Sequence, residues 1–141
     1  MSDRIFVDTN VLIYAHDRNA GEKYASALAV MEDLWTAGIG VLSTQVLQEF
    51  YVNITRKIPV PIPKATASVY VQRYFLWRVV AVTPPTILRA FEIEGQCKIS
   101  FWDAMIVSAA VEAGSTKILS EDLNAGQMIA GIPIENPFRK P

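Results

Sequence analysis

The 141 residues contain one cysteine, Cys97, and one histidine, His16. A lone thiol forbids an internal disulfide, and together the two residues cannot make a zinc site of nitrogen and sulfur ligands. Thirteen Lys and Arg stand against 14 Asp and Glu, for a net charge of −1. That excludes the basic footprint that gives sequence-independent affinity for nucleic acid. If the chain handles a nucleic acid, bound cations must supply part of the positive charge. The longest uncharged stretch, Leu34 to Gln48, is broken by Thr36, Ser43, Thr44 and Gln45. It is shorter than the roughly 20 apolar residues of a membrane span. No signal-peptide pattern is visible, because Asp3 and Arg4 lead straight into a strand-like run. The expectation is a soluble, cytoplasmic protein in which Cys97 is a buried, inert thiol.

What is present fits a single domain spanning residues 1–141. Apolar residues make up 51% of the chain, enough to leave an apolar face over, so self-association is expected. Ile5-Phe6-Val7 reads as a short buried strand. After a brief link, Tyr24, Leu28, Met31 and Trp35 recur at helical spacing. Val41-Leu42-Ser43 reads as a second strand. A helix extends from Thr44 to about Lys57, with Val46, Leu47, Phe50, Tyr51 and Ile54 on one face. Three prolines exclude regular structure from Ile58 to Pro63. Pro63 can start the next helix, which carries Val69, Val71, Phe75 and Leu76.

Val79 to Val82 reads as a third strand. Thr83 and Pro84 cap a helix that Gly95 should end, and a helix opening at Ser100 is stopped by Gly114. Lys117 to Ser120 reads as a fourth strand, Leu123 to Ile129 as a short helix, and Ile132 to Glu135 as a fifth strand. The end after Phe138 should be weakly ordered. This alternation predicts an α/β fold: a mostly parallel sheet of four to five strands with helices on both faces.

Ligands of such sheets bind outside the carboxyl ends of the strands. Asp8 ends the first strand and is followed by Thr9 and Asn10. Ser120, Glu121 and Asp122 end the fourth. Asp103 lies in the first turn of a helix, and Glu49 lies about one and a half turns beyond the second strand. Taken singly, each acid has a plain structural role. Asp8 would cap the next helix or turn, and Asp122 would cap the short helix after it. Asp103 would complete a capping box with Ser100, and Glu49 would share an exposed face with Gln45, Asn53 and Arg56. Taken together, Asp8, Glu49, Asp103 and Asp122 arrive at one edge, where they repel one another unless a hard cation with oxygen ligands compensates. Mg²⁺ or Mn²⁺ fits this donor set.

His16 beside Asp17 and Arg18 reads as an ordinary loop residue. Trp35, Trp77 and Trp102 read as core. Arg56, Lys57, Arg73 and Arg78 read as solvated cations, or as phosphate contacts if they line the groove.

Val7-Asp8-Thr9-Asn10, Gln48-Glu49-Phe50, Phe101-Trp102-Asp103-Ala104 and Leu119-Ser120-Glu121-Asp122-Leu123 resemble the PIN-domain ribonucleases, in order and at family spacing. The likeness continues through Gly131-Ile132 and Glu135-Asn136-Pro137-Phe138. It is strongest to the stand-alone, VapC-like toxins of toxin–antitoxin pairs. The resemblance implies the three-layer PIN-like fold, with one or two Mg²⁺ or Mn²⁺ ions at Asp8, Glu49, Asp103 and Asp122. It also implies that Thr9 or Asn10 assists the first acid and that Ser120 fills a recurring hydroxyl position. A homodimer and a cognate antitoxin are implied partners, the antitoxin blocking the acid groove with a basic side chain. Whether Glu121 or Asp122 points inward stays open.

The expected activity is hydrolysis of RNA phosphodiester bonds. The metal ion would activate water, and Glu49 would ligate the metal or orient that water. A phosphoacceptor or aspartyl phosphotransferase is the rival enzyme reading, but it needs a lysine near a strand end, and Lys117 begins its strand at the wrong edge. A non-catalytic RNA- or protein-binding module is the third class, and four intact acids gain such a module nothing.

Overall fold

The computed structural model describes residues 3–139. Six strands form one sheet in the order β3-β2-β1-β4-β6-β5. β1 (Ile5–Val7) lies at its centre, parallel to β2 (Gly40–Ser43) on one side and to β4 (Lys117–Leu119) on the other. β3 (Arg78–Val80) extends the sheet beyond β2, and β6 (Ile132–Glu135) extends it beyond β4, both parallel. β5 (Met128–Ile129) closes an antiparallel hairpin on β6. Phe6, Val7, Val41 and Leu42 are fully buried, as strands covered on both faces must be.

The chain leaves β1 toward β2 and β3, then crosses back over β1 to reach β4. Right-handed crossovers therefore place α1 (Thr9–Tyr14), α2 (Glu22–Ala37), α3 (Thr44–Arg56) and α4 (Lys64–Tyr74) on one face. α5 (Pro84–Cys97) and α6 (Phe101–Glu112) lie on the other. The packing agrees: α1 touches α2 and α3, α3 touches α4, and α5 and α6 pair. α6 is buried continuously from Ala104 to Ala110, so it is apolar all round rather than amphipathic. No helix among the described residues is long and apolar enough to cross a membrane.

The mixed α/β architecture and the parallel core match the sequence reading, with several local differences. The link after Asp8 is a helix, α1, because Asp8 itself caps it and accepts the Thr9 N–H. The buried stripe of α2 is Ala27, Met31 and Leu34; Met31 is as expected, Ala27 and Leu34 are buried in place of Leu28 and Trp35, and Trp35 is 43% exposed. α4 buries Ala67 and Tyr74 and leaves Val69 exposed, and it ends before Phe75 and Leu76, which are exposed in the turn that follows. Trp102 is 63% exposed and is not core; Trp77 is half-buried, and Cys97 is only partly buried.

β3 begins one residue before its predicted start and ends two before its predicted end. α5 runs through Gly95 and stops where Lys98 takes a left-handed conformation, φ 52°. The helix expected over 123–129 is absent, since Ser120 draws the chain into a turn and residues 128–129 pair with β6. Ala130 and Gly131, both at positive φ, make the two-residue hairpin turn, and an alanine hides that signal in the sequence. Arg139 is an exposed bend, and residues 140 and 141 of the expected loose end lie outside the described residues.

Gly40 opens β2 against the face of Trp77, which is packed in turn on Trp35 and Tyr74. A Cβ on Gly40 would enter that ring. Gly40→Ala should therefore destabilise the chain by about 1–3 kcal/mol, the usual cost of overpacking. The double variant Gly40→Ala/Trp77→Leu should recover part of the loss. Urea melts of the three proteins check this, and an unchanged midpoint in Gly40→Ala would contradict it.

Candidate active site

The topology reverses between β1 and β4, and the residues just past their carboxyl ends are Asp8 and Ser120. Ladder hydrogen bonding continues to this point, where the Asp8 N–H donates to the Leu119 carbonyl at 2.9 Å. The Asp8 side chain is only 5% exposed. Its Oδ1 accepts the Thr9 N–H at 2.7 Å, and its Oδ2 accepts the Ser120 hydroxyl at 2.7 Å. Ser120 Oγ in turn accepts the N–H groups of Asp122 and Leu123 at 3.2 and 3.1 Å. One hydroxyl thus orients Asp8 and folds the loop that carries Asp122.

Asn10 ties the two acids together. Its amide nitrogen lies 3.5 Å from Asp8 Oδ2 and 3.1 Å from Asp122 Oδ2, and its oxygen accepts the Glu121 N–H. Asp122 therefore faces the cluster. Glu121 is drawn the other way, into an ion pair with Lys23 and a hydrogen bond from Tyr14. Lys23 also lies over the rings of Tyr14 and Phe138. This arrangement resolves the ambiguity between the two neighbouring acids.

Glu49 joins from α3. It accepts the Thr9 hydroxyl at 2.6 Å and the Gln45 amide at 3.4 Å. The same Gln45 nitrogen lies 3.4 Å from the Trp102 carbonyl, in the first turn of α6. Asp103, one residue on, has its N–H capped by Ser100, so the capping contact and a place near the other acids coexist. Thr9, Asn10, Glu49, Asn53, Lys57 and Asp122 line an open groove. Four other hollows among the described residues are lined by none of the four acids.

The electrostatics reflect burial and crowding. Burial pushes the Asp8 carboxyl up to about 6, aided by the charges of Asp103 and Asp122 and opposed by the Ser120 and Thr9 hydrogen bonds. Asp103 is also raised, first by partial burial and then by Asp122 and Glu49. Among the described residues, no three of His, Cys, Asp and Glu are drawn close enough to hold a metal as they stand. Asp8, Glu49 and Asp122 instead hold hydroxyl and amide donors. The donor set is nevertheless all oxygen, and the buried Gln45 Oε1 beside it has no partner. A hard divalent cation suits such a set.

His16 lies outside this network. It packs against Phe50, Tyr70 and Tyr74 with Nε2 2.7 Å from the Tyr74 hydroxyl, and burial lowers its pKa to about 4. It is a loop residue, as the sequence suggests, in the turn after α1, and its ring packs into the core. Lys117 pairs with Glu135 at the start of β4, away from the acids. Gln45 is the residue that sequence reasoning undervalues. Its position four before Glu49 on one helix is the available signal.

Asp8→Asn tests the crowding. A folded carboxyl raised from 3.8 to about 6 binds more protons than the unfolded one between those values. Its contribution to stability is therefore full below pH 4 and is lost as pH rises toward 6. Without metal, Asp8→Asn should melt higher than the parent at pH 7, by about 1–2 kcal/mol once the disturbed Ser120 bond is allowed for. The two should converge near pH 4. A variant that melts lower at both pH values would instead mean that capping of α1 dominates.

No curated protein sequence matches the chain significantly. A family model described as the PIN domain matches residues 5–128. Among solved structures, the chain is similar to a toxin–antitoxin complex from Klebsiella pneumoniae, at TM-score 0.70 and 14% identity, covering 98% of this chain and 100% of that one. It is similar to DNA-bound VapBC from Salmonella typhimurium, at TM-score 0.68 and 15% identity over 96% and 99%. It is also similar to Mycobacterium tuberculosis VapC20, described as a sarcin-ricin loop cleaving toxin, at TM-score 0.61 and 20% identity over 81% and 86%.

Proposed function

The chain belongs to the PIN domain family, and from that premise we propose that it is a single-domain, cytoplasmic, metal-dependent ribonuclease, the toxin of a toxin–antitoxin pair. The observation that carries this reading is the convergence of Asp8, Glu49, Asp103 and Asp122, from four segments of chain, on the switch point of the sheet. Repulsion among carboxylates held at one edge is what a divalent cation with oxygen ligands would relieve, and this supports the reading.

Asp8, Asp103 and Asp122 would hold Mg²⁺ or Mn²⁺, with Glu49 as a further ligand or as a base. When bound, the ion would acidify a water molecule and neutralise charge on the phosphate. Glu49, held by Thr9, would receive the proton of the attacking water. Asn10 would keep Asp122 facing Asp8, and Ser120 would fix the Asp8 carboxylate so that its orientation need not be found during reaction. A phosphotransferase reading needs a lysine at a strand end beside the acids; Lys117 begins β4 and pairs with Glu135, and Lys57, which borders the groove, sits at the end of α3.

The similar solved assemblies support a protein antitoxin as partner, because two of them are toxin–antitoxin complexes. Such a partner would present Arg or Lys to the cluster of carboxylates. A homodimer would cover exposed apolar residues such as Phe75 and Leu76.

Cleavage of RNA by the purified chain should require Mg²⁺ or Mn²⁺ and stop in EDTA. Asp8→Asn should lower the rate at least a hundredfold, about 3 kcal/mol of lost charge stabilisation, while the protein still melts cooperatively. A gel assay with labelled RNA checks both. Full cleavage by the variant, or by the parent in EDTA, would overturn the reading.

A further inference from the structure

Gln45, Glu49, Asn53 and Lys57 succeed one another at intervals of four, a row winding about 18 Å along α3. Each end of the row carries a group that the chemistry above leaves unused. At the Gln45 end, the amide that contacts Glu49 also contacts the Trp102 carbonyl, which fixes that residue against the acids. The Trp102 indole is 63% exposed and is touched edge-on by Phe101 at 5.1 Å. At the other end, Lys57 borders the groove with Asn53 and Asp122. It sits at the carboxyl terminus of α3 and has no ion pair among the described residues.

We propose that this row is the track of a single strand of RNA, with a base stacked on Trp102, a phosphate a few nucleotides along the strand on Lys57, and the scissile bond between them near Glu49. The inference rests on the ribonuclease reading and adds its substrate contacts. A chain of net charge −1 that gathers four acids at its site gains little affinity from its overall field. Part of the affinity must come from groups beside the reacting bond, and a π face and an ammonium are two that a nucleotide chain accepts. A duplex keeps its π faces stacked on one another, so a stacking platform selects unpaired RNA.

Fluorescence anisotropy tests this, with a labelled single-stranded oligoribonucleotide of about twelve nucleotides. The protein is the full chain carrying Asp8→Asn, in EDTA, at several salt concentrations; the unmutated chain in EDTA replaces it if that variant does not fold. Added Trp102→Ala should weaken binding about tenfold with the salt slope unchanged, and Trp102→Phe should restore most of it. Trp102→Leu, which keeps apolar bulk without a π face, should behave like Ala and serves if Ala unfolds. Lys57→Gln should reduce the slope of log K on log salt by about 0.7. Trp35→Ala, at an exposed tryptophan off the row, should bind as the parent does.

If the parent binds RNA and the Trp102 and Lys57 variants bind equally well, the track is wrong and the ribonuclease reading stands. If Trp102→Ala leaves RNA binding intact but changes the sedimentation of the protein, the ring belongs to a protein interface and the track is again wrong. If the assay chain does not bind RNA and the unmutated chain with Mg²⁺ or Mn²⁺ does not cleave it, the ribonuclease reading itself falls.

Discussion

Asp8 keeps a carboxylate where water scarcely reaches and where two other acids add their repulsion. The carboxyl edge of the sheet is arranged around that demand. A buried anion is tolerated only when its oxygens are hydrogen-bonded. Here one oxygen is held by the first N–H of α1 and the other by Ser120. Ser120 is itself fully buried and accepts two further N–H groups, so the loop after β4 cannot move without releasing Asp8. Lys23 and Tyr14, themselves packed on Phe138, hold Glu121 on the outside of that loop, while Asn10 holds Asp122 on the inside.

The fold makes such a place available because β1 and β4 are neighbours in the sheet but far apart in the chain. Their ends leave a crevice that no connecting loop fills. α3 and α6 reach the same crevice from opposite faces and meet at Gln45, which touches Glu49 and the backbone beside Asp103. Reactivity and stability pull in opposite directions here. Burial first, and then the charges of neighbouring acids, raise the Asp8 and Asp103 carboxyls, a cost that an apolar or amide substitute would remove.

The parts of this arrangement legible in the sequence are those set by local periodicity. The runs Ile5-Phe6-Val7 and Lys117 to Ser120 announce buried strands, and the polar residues at their carboxyl ends, Asp8 and Ser120-Glu121-Asp122, are expected from where ligands of such sheets bind. Ser100 and Thr83 mark their helices by capping chemistry. Distant contacts decide the rest. α1 is six residues long and depends on its cap and on packing against α2 and α3. Trp102 looks like core by residue type but flanks the site in solvent. The 130–131 turn uses an alanine at φ 51° where the sequence signal would be Asn or Gly. Gln45 has no motif, and its role emerges only when α6 is brought beside α3.

The central claim is that these four carboxylates form one divalent-cation site with Asp8 at its heart. Electron paramagnetic resonance of free Mn²⁺, titrated with the purified chain at neutral pH, measures this directly. The account predicts that the unmutated chain depletes the free-ion signal and that Asp8→Asn and Asp103→Asn each leave most of it standing. A parent that leaves the signal at full strength, or an Asp8→Asn chain that depletes it equally well, would contradict the account.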